Sequence, residues 1–327
     1  KYDPIYPLYP ETIKLLCIIF YIIFYIFMFK KLMPIKKKIL FFTEFSKKIG
    51  KGHLYRSKQI YKKIAKKHNC RFLVNKNLKF INKTLSKNNH NLVIYDFKRY
   101  YKKFFKNNTK YIAFDNKHKF HKKLININPL ELSKNNYSGP RWYPYPDSFF
   151  SIKKKRQKKY TLFINQGATD AFNNLRKIIK CIDNLDKNRI NKCIIKTPKK
   201  IKLRAKKYEH IKIKQFTNVK KISEIYKKVD LAISGCGNFS YELSFFGIPC
   251  VLVSSEKTEV FRGKYFQKKG YGKFYKPNKL KEISIELNKL SNNYSYYKKI
   301  KKKNVKNFKK NGLKNIYLLI DKYINEI

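Results

Sequence analysis

This chain predicts an α/β fold of two parallel-sheet halves facing each other across a cleft, with an extra apolar helix in front. Three observations carry that expectation. Apolar runs of strand length alternate with helical patterns from Ile35 onward, and three of those strands end in glycine-bearing turns that open a helix, at residues 50–57, 166–170 and 235–242. A Pro-rich span from Pro140 to Pro146 and the basic run Lys153 to Lys159 then divide the alternation in two. Alternation of this kind implies parallel strands joined by crossover helices. The 327 residues suffice for two domains of about 100–150 residues each. We expect an apolar segment over 1–34, a first domain over 35–150 and a second over 158–327, with no short-period repeat.

Taken in order, Ile13 to Phe29 is apolar apart from Lys14, and Lys30-Lys31 and Lys36 to Lys38 follow it. At about 1.5 Å per residue such a helix spans roughly 25 Å, a little under the ~30 Å hydrocarbon core of a bilayer. Residues 13–29 therefore read as a membrane anchor that would hold the rest on the cytoplasmic side, since the lysines follow it. The alternatives are an upstream extension or a signal peptide, although no small-residue cleavage site is visible.

The first half then predicts a strand over Ile39 to Phe45, a helix over Ser57 to Lys67, strands over Arg71 to Val74, Leu92 to Tyr95 and Tyr111 to Phe114, and a helix near Tyr100. The second half predicts strands over Tyr160 to Asn165, Lys192 to Lys196, Ile211 to Phe216, Leu231 to Ser234 and Val251 to Val253. Helices are expected over Asn173 to Ile182 and from the 235–242 turn to Phe246, where Gly247-Ile248-Pro249 stops the pattern. From Leu280 onward, spaced Leu, Ile and Tyr among lysines predict one or two amphipathic terminal helices packed on a domain.

The turn Gly50-Lys51-Gly52-His53-Leu54-Tyr55-Arg56-Ser57 brings backbone N–H groups to one point and sets an imidazole among them. Glycine at 50 and 52 admits dihedrals other residues avoid and lets a ligand approach closely. A histidine at a helix N-terminus is in surroundings that favour the neutral ring, the form that accepts a proton as a general base. The plain alternative is a glycine turn with a helix-capping histidine. The turns at 166–170 and 235–242 repeat the strand, glycine turn, helix unit, as nucleotide-binding halves do.

Composition bears less on function than its extremes suggest. The net charge of +58, from 78 Lys+Arg against 20 Asp+Glu, would ordinarily indicate nucleic acid or an anionic surface. Lysine is nevertheless spread through every segment and arginine is sparse, as in AT-rich coding, so we expect no specific nucleic-acid partner, only weak salt-sensitive association with polyanions. The six cysteines show neither Cys-x-x-Cys nor metal spacing, which fits reduced thiols. His118 and His121 lack a nearby carboxylate set, so no metal and no cofactor is expected.

The motifs Gly-x-Gly-His-x-x-Arg at 50–56, Gly-x-x-Asp at 167–170 and Asp-Leu-Ala-Ile-Ser-Gly-x-Gly-Asn-x-Ser-x-Glu-x-x-x-x-Gly-Ile-Pro at 230–249 resemble the nucleotide-sugar hydrolases of pseudaminic acid biosynthesis. That resemblance runs from about Lys38 to about Gly270 and implies two Rossmann-like domains of the glycosyltransferase-B type, shared with the peptidoglycan GlcNAc transferase. In the transferase a proline follows the comparable turn, whereas Arg56 stands here, which favours the hydrolase branch. Asp96, Asp115 and Ser138 to Pro144 extend the likeness. The departures are Gln166 for a glycine, Asn116 for an aspartate, and Thr258-Glu259 where the family has an Asn-Gln pair near the ligand.

The resemblance implies a cytoplasmic hydrolase that cleaves the anomeric C–O bond of a UDP-linked acetamido-deoxy sugar and releases UDP, without a metal. Two alternatives remain open: a glycosyltransferase of the same fold acting on a lipid or glycan acceptor, and a noncatalytic nucleotide-sugar- or polyanion-binding protein. His53 is the expected base, Arg56 would hold a substrate anion or orient the loop, and Asp96 would contact sugar hydroxyls or orient His53. Gly52, Gly167, Asp170, Gly235, Gly237, Asn238 and Ser240 are expected to bind nucleotide or phosphate, and Glu242 to accept from ribose hydroxyls.

Overall fold

The structure is a computed structural model that describes residues 10–32, 36–46, 51–87, 89–96, 109–115, 124–131, 137–152, 159–167, 169–203, 209–219, 221–254 and 256–326. Residues 1–37 form one compact unit and residues 38–327 another. The first unit holds helix α1 (Pro10–Leu32), longer at both ends than expected. Its large apolar side chains from Leu15 to Tyr25 are exposed. Among the described residues no helix is long and apolar enough to cross a membrane, so the spanning anchor expected at residues 13–29 finds no support.

The second unit contains two parallel sheets. The first is built from β1 (Lys38–Thr43), α2 (Gly52–Ile64), β2 (Asn69–Val74), α3 (Leu78–Lys87), β3 (Leu92–Asp96), β4 (Lys110–Phe114) and β5 (Leu124–Ile127). Its strand order is β2-β1-β3-β4-β5. Both faces of β1 are covered. Ile39 and Phe41 pack with Ile60 and Ile64 of α2, while Leu40 and Phe42 pack with Ile81 and Leu85 of α3. A strand buried on both faces reads as one unbroken apolar run, which is why Ile39 onward was legible. The four-residue β5 carries no such signal and is a finding of the structure. The helix expected near Tyr100, Asn116, the His118 and His121 pair, Gly50 and Lys153 to Lys158 lie outside the described residues.

The second sheet comprises β6 (Tyr160–Asn165), α4 (Leu175–Ile178), β7 (Ile190–Lys196), β8 (Lys212–Phe216), α5 (Ile222–Tyr226), β9 (Leu231–Ser234), α6 (Asn238–Phe245), β10 (Cys250–Val253), α7 (Lys257–Lys268) and β11 (Gly272–Tyr275). Its order is β11-β10-β9-β6-β7-β8. The helix expected over Asn173 to Ile182 is a short α4 continued by a 3-10 turn over Ile179–Asn184. Three terminal helices follow rather than one or two: α8 (Leu280–Asn292), α9 (Tyr294–Phe308) and α10 (Gly312–Asn325). Helix α8 covers the second sheet through Ile283 and Leu287. Helix α10 returns to the first sheet, where Leu313, Ile316, Ile320 and Ile324 join the cluster of Ile39, Phe41 and Trp142.

Strand order places the functional turns. In the first sheet the chain runs outward to β2 on one side of β1 and to β4 and β5 on the other side of β3, so its direction reverses between β1 and β3. In the second sheet it reverses between β6 and β9. Open parallel sheets bind ligands beyond the carboxyl ends of the strands at such reversals. The turns after β1, β3, β6 and β9 all stand at those two points.

Candidate active site

Helix α2 begins at Gly52, five residues before the expected start, so His53 and Arg56 both lie in its first turns. Parallel register pairs Thr43 of β1 with Asp96 of β3. That pairing carries the last residue of β3 beneath the start of α2. Asp96 is fully buried, and its backbone carbonyl accepts from Thr43 Oγ1 at 3.1 Å.

The Asp96 carboxylate is the hub of the site. Its Oδ1 lies 2.6 Å from His53 Nδ1 and accepts Arg56 Nη2 at 2.5 Å, while its Oδ2 accepts Arg56 Nε at 2.8 Å and Ser57 Oγ at 3.1 Å. Burial alone would raise this carboxyl. The Arg56 charge, followed by His53 and the hydrogen bonds from both, outweighs burial and brings it to about 2. An ionised carboxylate only accepts, so His53 Nδ1 carries the hydrogen in this pair and Nε2 of the neutral ring keeps the lone pair. The imidazole is 14% exposed, enough to meet a reactant.

Arg56 is 2% exposed and does not reach out for a substrate anion. It forks onto Asp96, donates through Nη1 to Asp115 Oδ2, and lies 5.1 Å from the centre of the Phe114 ring. Burial would lower its pKa, but the charges of Asp115 and Asp96 overcome that and raise it. Two carboxylates already match the guanidinium, so the geometry gives it the positioning of Asp96. Asp115 adopts a left-handed backbone, with φ of 50°, at the end of β4. Its Oδ1 is buried without a partner.

The second lobe brings its own turn to this place. A Cβ on Gly52 would come within 2.7 Å of Asn238 Nδ2, so the start of α2 lies against the Asn238 side chain at the start of α6, and a larger residue at 52 would have to push that side chain aside. Gly237 is the N-cap of α6, and Ser240 Oγ donates to the Gly237 carbonyl at 2.7 Å. Asn238 Oδ1 is buried without a partner. Gly235 N–H donates to the Asn165 carbonyl at 3.1 Å, tying this turn to the one after β6.

The remaining expected ligands are placed differently. Asp170 accepts the N–H groups of Asn174 at 2.9 Å and Leu175 at 3.2 Å, so its carboxylate caps α4. Gly167, with φ of 81°, folds its loop back on Asn165, whose Oδ1 takes the Gly167 N–H at 2.8 Å. Glu242 is 4% exposed, and its oxygens accept from Tyr226 at 2.8 Å and Tyr143 at 3.3 Å. Burial pushes this carboxyl up to about 7 against the opposing pull of the two hydroxyls. Burial and then the Glu242 charge also raise the Tyr55 hydroxyl, from the other lobe. A buried tyrosine pocket therefore stands where an open ribose acceptor was expected.

Sequence reading singled out no role for Tyr143, Tyr226, Lys51 or Lys196. Lys196, at the end of β7, has its pKa lowered by burial and then by the Lys51 charge, which places the two cations near each other. Lys51 sits inside the first motif and could have been weighed there; Lys196 had no distinguishing neighbour among so many lysines.

Comparisons with known proteins agree with this geometry at the level of fold. Residues 161–316, just under half the chain, match the model of the glycosyltransferase family 28 C-terminal domain. No curated protein matches. Among solved structures, MurG of Acinetobacter baumannii is similar with a TM-score of 0.62 at 11% identity, covering 88% of this chain and 99% of that one. The glycotransferase of kitacinnamycin gives 0.66 at 8% identity, covering 89% and 100%. A chain described as a UDP-N-acetylglucosamine 2-epimerase of Listeria monocytogenes gives 0.62 at 10% identity, covering 90% and 98%. The fold is therefore the glycosyltransferase-B fold, of two Rossmann-like domains. These similarities do not single out the pseudaminic acid hydrolases that the motifs resemble.

Proposed function

We propose that this chain is a glycosyltransferase that moves a sugar from a UDP-sugar to a hydroxyl of a lipid or glycan acceptor. The observation that carries it is the 2.6 Å pairing of His53 Nδ1 with a buried, ionised Asp96, in a first lobe whose Gly52 abuts Asn238 of the second. The match of the second lobe to a family 28 C-terminal domain supports transfer over the hydrolysis that the motifs suggest.

In this mechanism His53 Nε2 takes the proton of the acceptor hydroxyl as its oxygen attacks the anomeric carbon. The bond from that carbon to the diphosphate oxygen breaks, and UDP leaves with the electron pair. Amides at the start of α6, which have no partner within the helix, meet the charge on the leaving diphosphate. Asp96 holds the ring in the productive tautomer and steadies the imidazolium that forms. Arg56 fixes Asp96 by its bidentate fork.

The test is a UDP-sugar panel, with and without lipid and saccharide acceptors, read by released UDP and by the mass of the sugar product. Acceptor-dependent UDP release supports transfer, whereas rapid free sugar without acceptor restores the hydrolase. Replacing His53 by Asn should lower turnover by about 100-fold or more while UDP binding persists. Full turnover in that variant removes His53 as the base, whereas UDP-sugar binding without turnover in every arm leaves a binding protein. A lipid acceptor would also give the exposed α1 a cytoplasmic membrane surface to rest against. Unchanged vesicle binding after removal of residues 1–32 discards that part.

A further inference from the structure

The turn proposed to seat the diphosphate already carries an anion that belongs to the chain. Glu259 lies in the first turn of α7, whose N-cap Glu256 accepts the Glu259 N–H at 2.9 Å. From there its Oε2 accepts the Cys236 backbone N–H at 3.3 Å. A Cβ on Gly235 would lie 3.4 Å from that oxygen, and one on Gly237 would lie 3.1 Å from Oε1. The carboxylate thus runs along the turn on both sides of Cys236, and the two glycines make room for it. Arg262, one turn further along α7, donates to the Cys236 carbonyl at 3.2 Å. Helix α7 therefore grips the turn by one amide and one carbonyl.

A backbone N–H has one hydrogen, so a phosphate oxygen and the Glu259 carboxylate cannot share it, and two anions in contact repel. We propose that Glu259 is an internal competitor of the diphosphate that sets how tightly nucleotide is held; this rests on the 235–240 turn being the diphosphate seat. The carboxylate keeps the turn in its anion-holding shape, swings out when a diphosphate arrives, and returns to the Cys236 amide as UDP departs. It thereby trades nucleotide affinity for product release. Its place follows from the chemistry of the turn, since an amide array that attracts a carboxylate also attracts a phosphate.

Titration calorimetry of UDP, inorganic pyrophosphate and uridine with the full chain tests this in the wild type, Glu259→Gln and Glu259→Asp. Glutamine removes the charge at equal size, and aspartate is one methylene too short to reach the amide. UDP and pyrophosphate are expected to bind about tenfold more tightly to Glu259→Gln, with Glu259→Asp moving the same way and uridine unchanged. Measurable UDP binding that is equal or weaker in both variants overturns the competitor and leaves the diphosphate seat standing. A gain shared by uridine also overturns it. Absence of UDP and pyrophosphate binding in all three proteins overturns the seat and the competitor together.

Discussion

Asp96 and Glu242 are both buried carboxyls, one from each lobe, yet Asp96 is held at about 2 and Glu242 at about 7. Burial raises both. The difference lies in the neighbours. Asp96 faces a guanidinium and an imidazole, whereas Glu242 faces tyrosine hydroxyls, which offer dipoles but no charge. Depth alone therefore does not decide whether a buried acid is ionised; a counter-charge does. The first lobe keeps a fixed negative charge beside its histidine, and the second keeps an acid that gains or loses its proton near neutral pH.

The sharpest way to break the contrast is Asp96→Asn, which keeps the shape and removes the charge. The amide can present an N–H to His53 Nδ1 and so favours the wrong tautomer. Turnover with donor and acceptor is expected to fall on the order of a thousandfold, with UDP affinity retained. Retained turnover would show that the pairing does not orient the base.

Arg56→Met attacks the same contrast from the cation side, leaving two carboxylates with no guanidinium. Breaking a buried ion pair from one side costs about 3–5 kcal/mol, to be read by urea unfolding at neutral pH. Adding Asp96→Asn to Arg56→Met should recover part of that loss, because the stranded charge is then gone.

Glu242→Gln sharpens the other side. A carboxyl raised from 4.5 to about 7 contributes stability that is fully present below pH 4.5 and is lost as pH rises through 7. The wild type should therefore lose about 3 kcal/mol relative to Glu242→Gln between pH 4.5 and 8. Parallel unfolding curves across that range would show that the tyrosines already hold the carboxylate ionised. Asp96 has the opposite sign: its contribution is present above pH 3.8 and fades as pH falls toward 2.

How much was legible follows from how local each signal is. The strand Leu231–Ser234 and the helix after Gly237 were readable because an apolar run, a glycine turn and a Gly-Ile-Pro stop lie within twenty residues. His53 and Arg56 stand three apart on one helix, so their shared face followed from the period of the helix. Asp96 was a named candidate with two roles left open, and its 2.6 Å contact with His53 Nδ1 fits the one that orients the ring. The placement of Asp170 was not legible because a carboxylate after a glycine can equally meet a ligand or accept the first amides of the helix that follows. The hydrogen-bond partners of Glu242 were not legible because Tyr143 and Tyr226 are 99 and 16 positions away.

By itself, the sequence determined the alternation of strands and helices and the positions of the glycine turns, and it put forward His53 as the candidate base. Each is set by backbone conformation and side-chain periodicity within a short window. Only the tertiary structure decided that Asp115 flanks Arg56, that α10 returns to cover the first sheet, that Gly52 meets Asn238, and that Glu259 lies on the Cys236 amide. Those contacts join residues far apart in the chain, and strand order and register, rather than local preference, bring them within a few ångströms.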